Sequence, residues 1–158
     1  MSSEEIDRYT NEKEEIYRDM YKPYIKPVNG LITLLKQLQA LQVPMVIATS
    51  GIPVNIEYMF ENIPVRKYFM DVINSTHITH GKPHPEIYQV AARRMQLNPA
   101  HCIAFEDSVA GVRSAADAGF KTVALTTTHQ REELQYADLI VTDFTEISIE
   151  KLSELLEA

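Results

Sequence analysis

One cysteine, Cys102, stands in the 158 residues. A lone thiol closes no internal disulfide, so a reducing cytoplasm is the expected compartment. Long apolar runs are missing too. Met45-Val46-Ile47-Ala48 is typical, far short of the ~20 residues a membrane span needs. From Ser2 to Asp19 the chain is rich in Glu and has no apolar stretch, so no signal peptide is expected. No internal repeat, low-complexity run or Pro/Gly linker divides the sequence. Three phosphate-binding or nucleophile signatures are absent: Gly-x-Ser-x-Gly, Gly-x-x-x-x-Gly-Lys and Gly-x-Gly-x-x-Gly.

What remains is an ordinary globular composition, 45% hydrophobic and 23% charged with net charge −7, which excludes disorder and fibrous repeats. The charge is unevenly spread. Residues 1–20 and 131–158 are acidic and the middle is mildly basic. A nucleic-acid binder needs a concentrated basic face, so no nucleic-acid partner is expected. A small anionic ligand near the middle of the chain suits the distribution better.

Ser2 or Ser3 can N-cap a helix running to about Tyr21, with Glu4, Glu5 and Asp7 in its first turn. Ile6, Tyr9, Lys13, Tyr17 and Met20 share one flank of it. Pro23 and Pro27 end it. Leu31, Leu34, Leu35, Leu38 and Leu41 form the stripe of a second helix. Short continuous apolar runs follow at Met45–Ala48, Ile103–Phe105, Thr122–Leu125 and Leu139–Val141, and faintly at Val72–Ile73. Helices are predicted between and after them at Val54–Asn62, Pro85–Leu97, Val109–Ala118, Gln130–Tyr136 and Ile147–Glu157. Strands apolar on both faces lie between helix layers, so the fold class is α/β with a doubly wound parallel sheet. Gly119 ends the helix before it. Gly111 sits inside that helix at a cost of ~1 kcal/mol against Ala, which close packing on the sheet would explain.

Ligands of such sheets bind at the carboxyl ends of the strands. There the sequence places Thr49-Ser50-Gly51, then Gly81-Lys82-Pro83-His84-Pro85, then Glu106-Asp107-Ser108. Singly, each has an ordinary explanation: Asp107 or Ser108 as an N-cap, Ser50-Gly51 as a turn, Lys82 as a solvated lysine. Together a hydroxyl, an ammonium and two carboxylates suit Mg²⁺ and a phosphoryl group. His77, His80 and His84 are close in sequence. With no cysteine pair beside them, a polar loop is the expected setting rather than zinc. Cys102 opens a buried strand and is expected to be a small core residue.

Ile47-Ala48-Thr49-Ser50, Gly81 to Tyr88, and Phe105-Glu106-Asp107-Ser108 followed by Gly111-Val112-Arg113 and Ala115–Gly119 resemble the haloacid dehalogenase superfamily. Within it they are most similar to the β-phosphoglucomutase-like branch. The resemblance implies Thr49 and Lys82 as catalytic residues that hold the phosphoryl group, and Ser50 beside them as substrate-binding. It implies Glu106 and Asp107 as Mg²⁺ ligands. Lys13 resembles a cap-domain lysine that contacts a substrate's distal phosphate. The implied activity is phosphoryl transfer or hydrolysis on a small phosphorylated metabolite, a sugar phosphate, through an aspartyl-phosphate.

That chemistry begins from an Asp-x-Asp motif on the family's central strand. The aspartates here are 7, 19, 71, 107, 117, 138 and 143, and no two are separated by one residue. The expectation is therefore a cap remnant over 1–24 and a core over 25–158 lacking its first strand, inactive alone. The absent strand would lie between those ending at Thr49 and Glu106, leaving two apolar edges prone to self-association. The alternative is a non-catalytic phosphate- or metal-binding module, or one part of an assembly whose partner completes the sheet. A phospho-receiver domain is disfavoured, because its acidic pair should precede its threonine and lysine.

Overall fold

The computed structural model describes residues 2–158; the side chains at positions 3, 4, 6, 7, 10 and 11 lie outside the description. The readings of Glu4, Ile6 and Asp7 fall there. Helix α1 spans Ser3–Tyr21, and Ser2 is its cap. The Ser2 hydroxyl accepts the Glu5 amide at 3.2 Å while the Glu5 carboxylate accepts the Ser2 amide at 2.8 Å, a reciprocal capping box. Tyr9, Tyr17 and Met20 on its flank are exposed. Its inner contacts are polar: Arg18 donates to the Asn55 side-chain oxygen at 2.9 Å, and Asn55 donates to Glu14 at 2.7 Å.

The rest alternates strands and helices: α2 (Leu31–Ala40), β1 (Val46–Ala48), α3 (Pro53–Asn62), β2 (Asp71–Ile73), α4 (Glu86–Met95), β3 (Ile103–Glu106), α5 (Val109–Asp117), β4 (Lys121–Leu125), β5 (Leu139–Val141) and α6 (Ile149–Glu157). All strand pairs are parallel. Burial is two-sided. Ile73, Ala104 and Ala115 join the α4 side, whereas Val123, Val141 and Leu152 pack with Leu34 of α2 on the other. Within β3, Ala104 enters the first layer and its neighbours Ile103 and Phe105 the second, as the uninterrupted apolar runs require. Among the described residues, no helix is long and apolar enough to cross a membrane.

The seven-residue helix expected over Gln130–Tyr136 is not formed; a 3-10 turn, Arg131–Leu134, stands there. Leu134 is fully buried, while Tyr136 is 70% exposed. One anchor makes no stripe, and so short a segment cannot offset the cost of helix nucleation. The faint run at Val72–Ile73 is a full strand, in register with β1 from Val46–Asp71 to Ala48–Ile73.

Hydrogen bonding divides the sheet into β1-β2 and β3-β4-β5. The facing edges of β1 and β3 are not bonded to each other, and an apolar slot of about 490 Å³ lies between them. Val46, Ala48, Cys102 and Ala104 line its two edges, Leu35 and Leu38 of α2 one side, and Tyr88 and Ala91 of α4 the other. Every residue of β1 is only half-buried as a result. Lys82 reaches both Ala48, ending β1, and Glu106, ending β3. The two edges therefore point the same way.

Candidate active site

Three chain segments converge where β1 and β3 end. Thr49 follows β1 and remains tied to the sheet, its amide donating to the Ile73 carbonyl at 2.9 Å. The chain then turns through Ser50 and Gly51, and Thr49 Oγ1 accepts the Gly51 amide at 3.0 Å. That bond leaves the threonine proton free to donate elsewhere. Ser50 is exposed at the rim.

Lys82 comes from the loop before α4. Its ammonium donates to the Ala48 carbonyl at 3.2 Å and to Glu106 Oε1. Two of its three donors are thereby used, and the third is available to the pocket. The side chain is 12% exposed and that of Glu106 is 7% exposed, so this ion pair is largely desolvated. Breaking such a pair from one side typically costs about 3–5 kcal/mol. The Tyr88 hydroxyl also donates to Glu106 Oε1. Burial, and then the adjacent Glu106 charge, push the Tyr88 hydroxyl well above its usual pKa. It stays protonated and serves as a donor.

Asp107 is placed differently. Ser108, rather than Asp107, caps α5, its hydroxyl accepting the Gly111 amide at 3.0 Å. The Asp107 carboxylate is exposed and accepts one hydrogen bond, from Thr128 Oγ1 at 2.6 Å. Gly111 faces the neighbouring acid. A Cβ there would stand 1.9 Å from Glu106 Oε2 and 2.2 Å from its Cδ. Close packing does account for this glycine, and the packed group is a carboxylate.

Thr49, Ser50, Lys82, Glu106 and Asp107 line one pocket of about 450 Å³. Lys13 does not line it. It sits on α1, mostly exposed and paired with Glu14 at 2.9 Å. Three participants went unread in the sequence. Thr127 lines the pocket and Thr128 holds Asp107; both follow β4, and the strand-end rule applied to Thr126-Thr127-Thr128 would have found them. Tyr88 carries no local signal, since its partner is 18 residues away.

The donor set suits a hard cation. Asp107 offers a solvent-facing carboxylate; Glu106 Oε1 is engaged by Lys82 and Tyr88, and its Oε2 accepts only a long contact, 3.5 Å, from the Ser108 hydroxyl. Oxygen donors at the edge of an open pocket suit Mg²⁺, which keeps several waters and uses few carboxylates.

The profile of the haloacid dehalogenase-like hydrolases matches residues 1–125. The chain is 36% identical over 125 residues to the validoxylamine A 7'-phosphate phosphatase of Streptomyces hygroscopicus subsp. limoneus, covering 79% of this chain and 59% of that protein. A crystal structure of a HAD hydrolase of family IA, variant 3, from Entamoeba histolytica superposes with TM-score 0.90 at 32% identity, over 100% of this chain and 74% of that one. The β-phosphoglucomutase of Clostridium difficile shares the fold at TM-score 0.86 and 23% identity, over 99% and 69%. The chain spans well under two thirds of the length of several curated relatives, 59%, 41% and 34% of three of them. A profile match over most of the chain, together with the parallel sheet and its strand-end pocket, shows that the chain belongs to the haloacid dehalogenase-like hydrolase family.

Proposed function

We propose that these residues supply the phosphoryl-binding and cation-binding part of a Mg²⁺-dependent phosphatase or phosphomutase. Its substrate would be a small phosphorylated metabolite, a sugar phosphate. The observation that carries this reading is the convergence of Thr49, Lys82, Glu106 and Asp107 on one pocket. Printed names of relatives agree with it, among them a fructose-1-phosphate phosphatase and a β-phosphoglucomutase.

The Thr49 hydroxyl and the free Lys82 proton donate to two phosphoryl oxygens, and the ammonium offsets charge that grows as the phosphoryl group transfers. Asp107 and Glu106 would hold the cation, with Thr128 fixing the Asp107 carboxylate and Tyr88 fixing that of Glu106. When bound, Mg²⁺ neutralises phosphoryl charge and orients the group for in-line attack. Ser50 at the rim donates to the remainder of the substrate. Lys13, in this reading, contacts a distal phosphate.

The nucleophile is a carboxylate that these 158 residues do not place in the pocket, since they hold no Asp-x-Asp. In the chemistry the resemblance implies, that carboxylate would attack phosphorus, the P–O bond to the metabolite would break, and the departing oxygen would take a proton from the second acid of the Asp-x-Asp motif, which is likewise not among these residues. Water then cleaves the acyl phosphate, releasing phosphate and restoring the carboxylate. The slot beside Lys82 is where a strand carrying that motif would pair on both sides. The 158 residues alone are accordingly inactive.

A second reading is favoured by the same slot. In it the chain is one part of an assembly whose partner completes the sheet, or a non-catalytic phosphate- or metal-binding module that self-associates through its open edges. Hydrolysis of p-nitrophenyl phosphate with Mg²⁺ separates these readings. The chain alone should give no turnover. Adding a peptide of five apolar β-formers followed by Asp-x-Asp should give turnover that Asp107→Ala abolishes. Turnover by the 158 residues alone, lost on Asp107→Ala, would overturn the inactivity. A peptide that binds in the slot without turnover would favour the binding module.

A further inference from the structure

Among the described residues, one group of potential metal ligands outside the pocket has no role so far. His80, His84 and Glu86 each offer a ligand atom, and these atoms lie within 4.8 Å of one another. They occupy positions i, i+4 and i+6 of the segment that carries Lys82 into α4. We propose that they form a second cation site, for a borderline transition ion such as Zn²⁺, distinct from the oxygen site at Asp107.

Ligand chemistry separates the two. Two imidazoles and a carboxylate are the donors that Zn²⁺, Ni²⁺ and Co²⁺ prefer, whereas Mg²⁺ takes oxygen and water. The geometry is close to what coordination needs. Tetrahedral ligands at about 2.0–2.1 Å from zinc stand roughly 3.3 Å apart. His80 Nδ1 and Glu86 Oε2 are already 3.0 Å apart, and the two imidazole rings have centroids 4.5 Å apart. His84 Nδ1 accepts a long hydrogen bond, 3.2 Å, from the Glu86 amide, a contact that an ion coordinated there would replace.

The frame beneath is fixed. The Glu86 carboxylate accepts the Thr79 amide at 2.9 Å and the His80 amide at 2.8 Å, so the loop is already folded onto the first turn of α4. The His84 amide donates to the Gly81 carbonyl at 3.1 Å, and the Ser114 hydroxyl donates to the His84 carbonyl at 2.7 Å. Only side-chain rotations separate the present arrangement from a three-ligand site, with open positions for water. Both histidines are exposed, giving an ion a direct approach. An ion seated there would take the place of the contact between His80 Nδ1 and Glu86 Oε2. His77 lies outside the cluster; its Nδ1 accepts the Asn74 amide at 3.1 Å. Because His80 and His84 bracket Lys82, the bound ion would staple the loop that presents the ammonium. The site stands on its own donors, whatever the pocket does.

Titration of the 158-residue chain with CoCl₂, read by the visible d–d band and by calorimetry with ZnCl₂, tests this. With millimolar MgCl₂ present to occupy the oxygen site at Asp107, one Co²⁺ or Zn²⁺ per chain is expected. His80→Ala and His84→Gln should each weaken binding by about tenfold or more, taking as a floor the loss seen on removing an outer-shell partner. Far-UV circular dichroism identifies any variant that fails to fold, and the other then decides. His77→Ala with His101→Ala, and separately Asp107→Ala, should leave Co²⁺ binding unchanged. The proposal is overturned by the absence of a Co²⁺ band, by equal affinity in the His80 and His84 variants, or by loss of the ion on Asp107→Ala.

Discussion

Gly111→Ala should destabilise this protein, against the ordinary rule for helices. Replacing Gly by Ala within a helix typically gains up to about 1 kcal/mol. Gly111 has no positive φ to protect, so backbone conformation gives no reason for a loss. The obstacle is the Glu106 carboxylate, at 1.9–2.6 Å from the added Cβ. A carboxylate is the mobile end of its side chain and can swing away, but only by leaving Lys82 and Tyr88 in a site where Glu106 is 8% exposed. Abandoning a buried pair costs about 3–5 kcal/mol. Set against the helical gain, the net loss is about 2–4 kcal/mol, measured as a shift in the urea midpoint at constant m. The decisive comparison is Gly111→Ala in a Glu106→Ala background. There the clash is gone and the same substitution should stabilise by up to about 1 kcal/mol. Gly81→Ala, with nothing within 4 Å of its Cβ, should stay within about 0.5 kcal/mol of wild type. Equal destabilisation by Gly111→Ala in both backgrounds, or none in the wild type, would refute the assignment of this glycine to the carboxylate.

Three more outcomes are expected. Cys102 lies on the slot and is 5% exposed, and burial raises its thiol pKa; Ellman's reagent at pH 8 should label it far more slowly than in urea, and a strand peptide seated in the slot should slow it further. Labelling at the unfolded rate would show the slot open to water. Asp138→Ala removes the acceptor of the Thr122 amide and hydroxyl, at 2.7 and 2.9 Å, on a fully buried residue of β4; the urea midpoint should report a loss of about 1–3 kcal/mol. Asp143 is held below its usual pKa of 3.8 chiefly by the Thr145 hydroxyl, and Glu146 below 4.5 chiefly by the Thr142 amide. Lowered carboxyl values stabilise above the unfolded pKa and stop doing so as pH falls below it. Stability should therefore decline from about pH 4.5 downward, and Asp143→Asn with Glu146→Gln should flatten that decline between pH 6 and pH 3.

Element type was legible wherever a periodic pattern was long. Ser2 with Glu5 marked the start of α1, the leucines marked α2, and the two-sided apolar runs marked four parallel strands. The polar residues after β1 and β3 were legible because strand ends in an open sheet face the same side, so Thr49, Lys82, Glu106 and Asp107 read as one group before any distance was known. What stayed hidden depends on partners distant in sequence. Tyr88 looks like core until its hydroxyl meets Glu106, and Gly111 reads only as close packing on the sheet until the facing atom is seen to be a carboxylate oxygen. The turn at Arg131–Leu134 imitates a helix because Leu134 is apolar and its neighbours are charged. His80 and His84 were read beside His77, which the structure turns to Asn74, while Glu86 reads as an ordinary first-turn acid of α4 until its carboxylate folds back onto the loop.

Lys82 joins the apolar slot to the polar pocket, and that position constrains both. With β1 and β3 unbonded to each other, its contacts with Ala48 and Glu106 bridge the two sheets at their carboxyl ends. A strand entering the slot with an acid at its end would meet the same ammonium, and a phosphoryl group in the pocket would meet it too. Each arrival competes with Glu106 for one charge. A lysine with a single anionic partner holds the edges most firmly; one shared among three holds each less tightly and is better suited to following charge as it moves. Lys82→Ala should therefore loosen the relation of β1 to β3 as well as remove a phosphoryl contact. Amide exchange at Ala48 and Glu106 separates those effects, because it reads the sheet edges in the absence of any substrate. Faster exchange at both positions is expected, and unchanged exchange would leave Lys82 with the phosphoryl role alone.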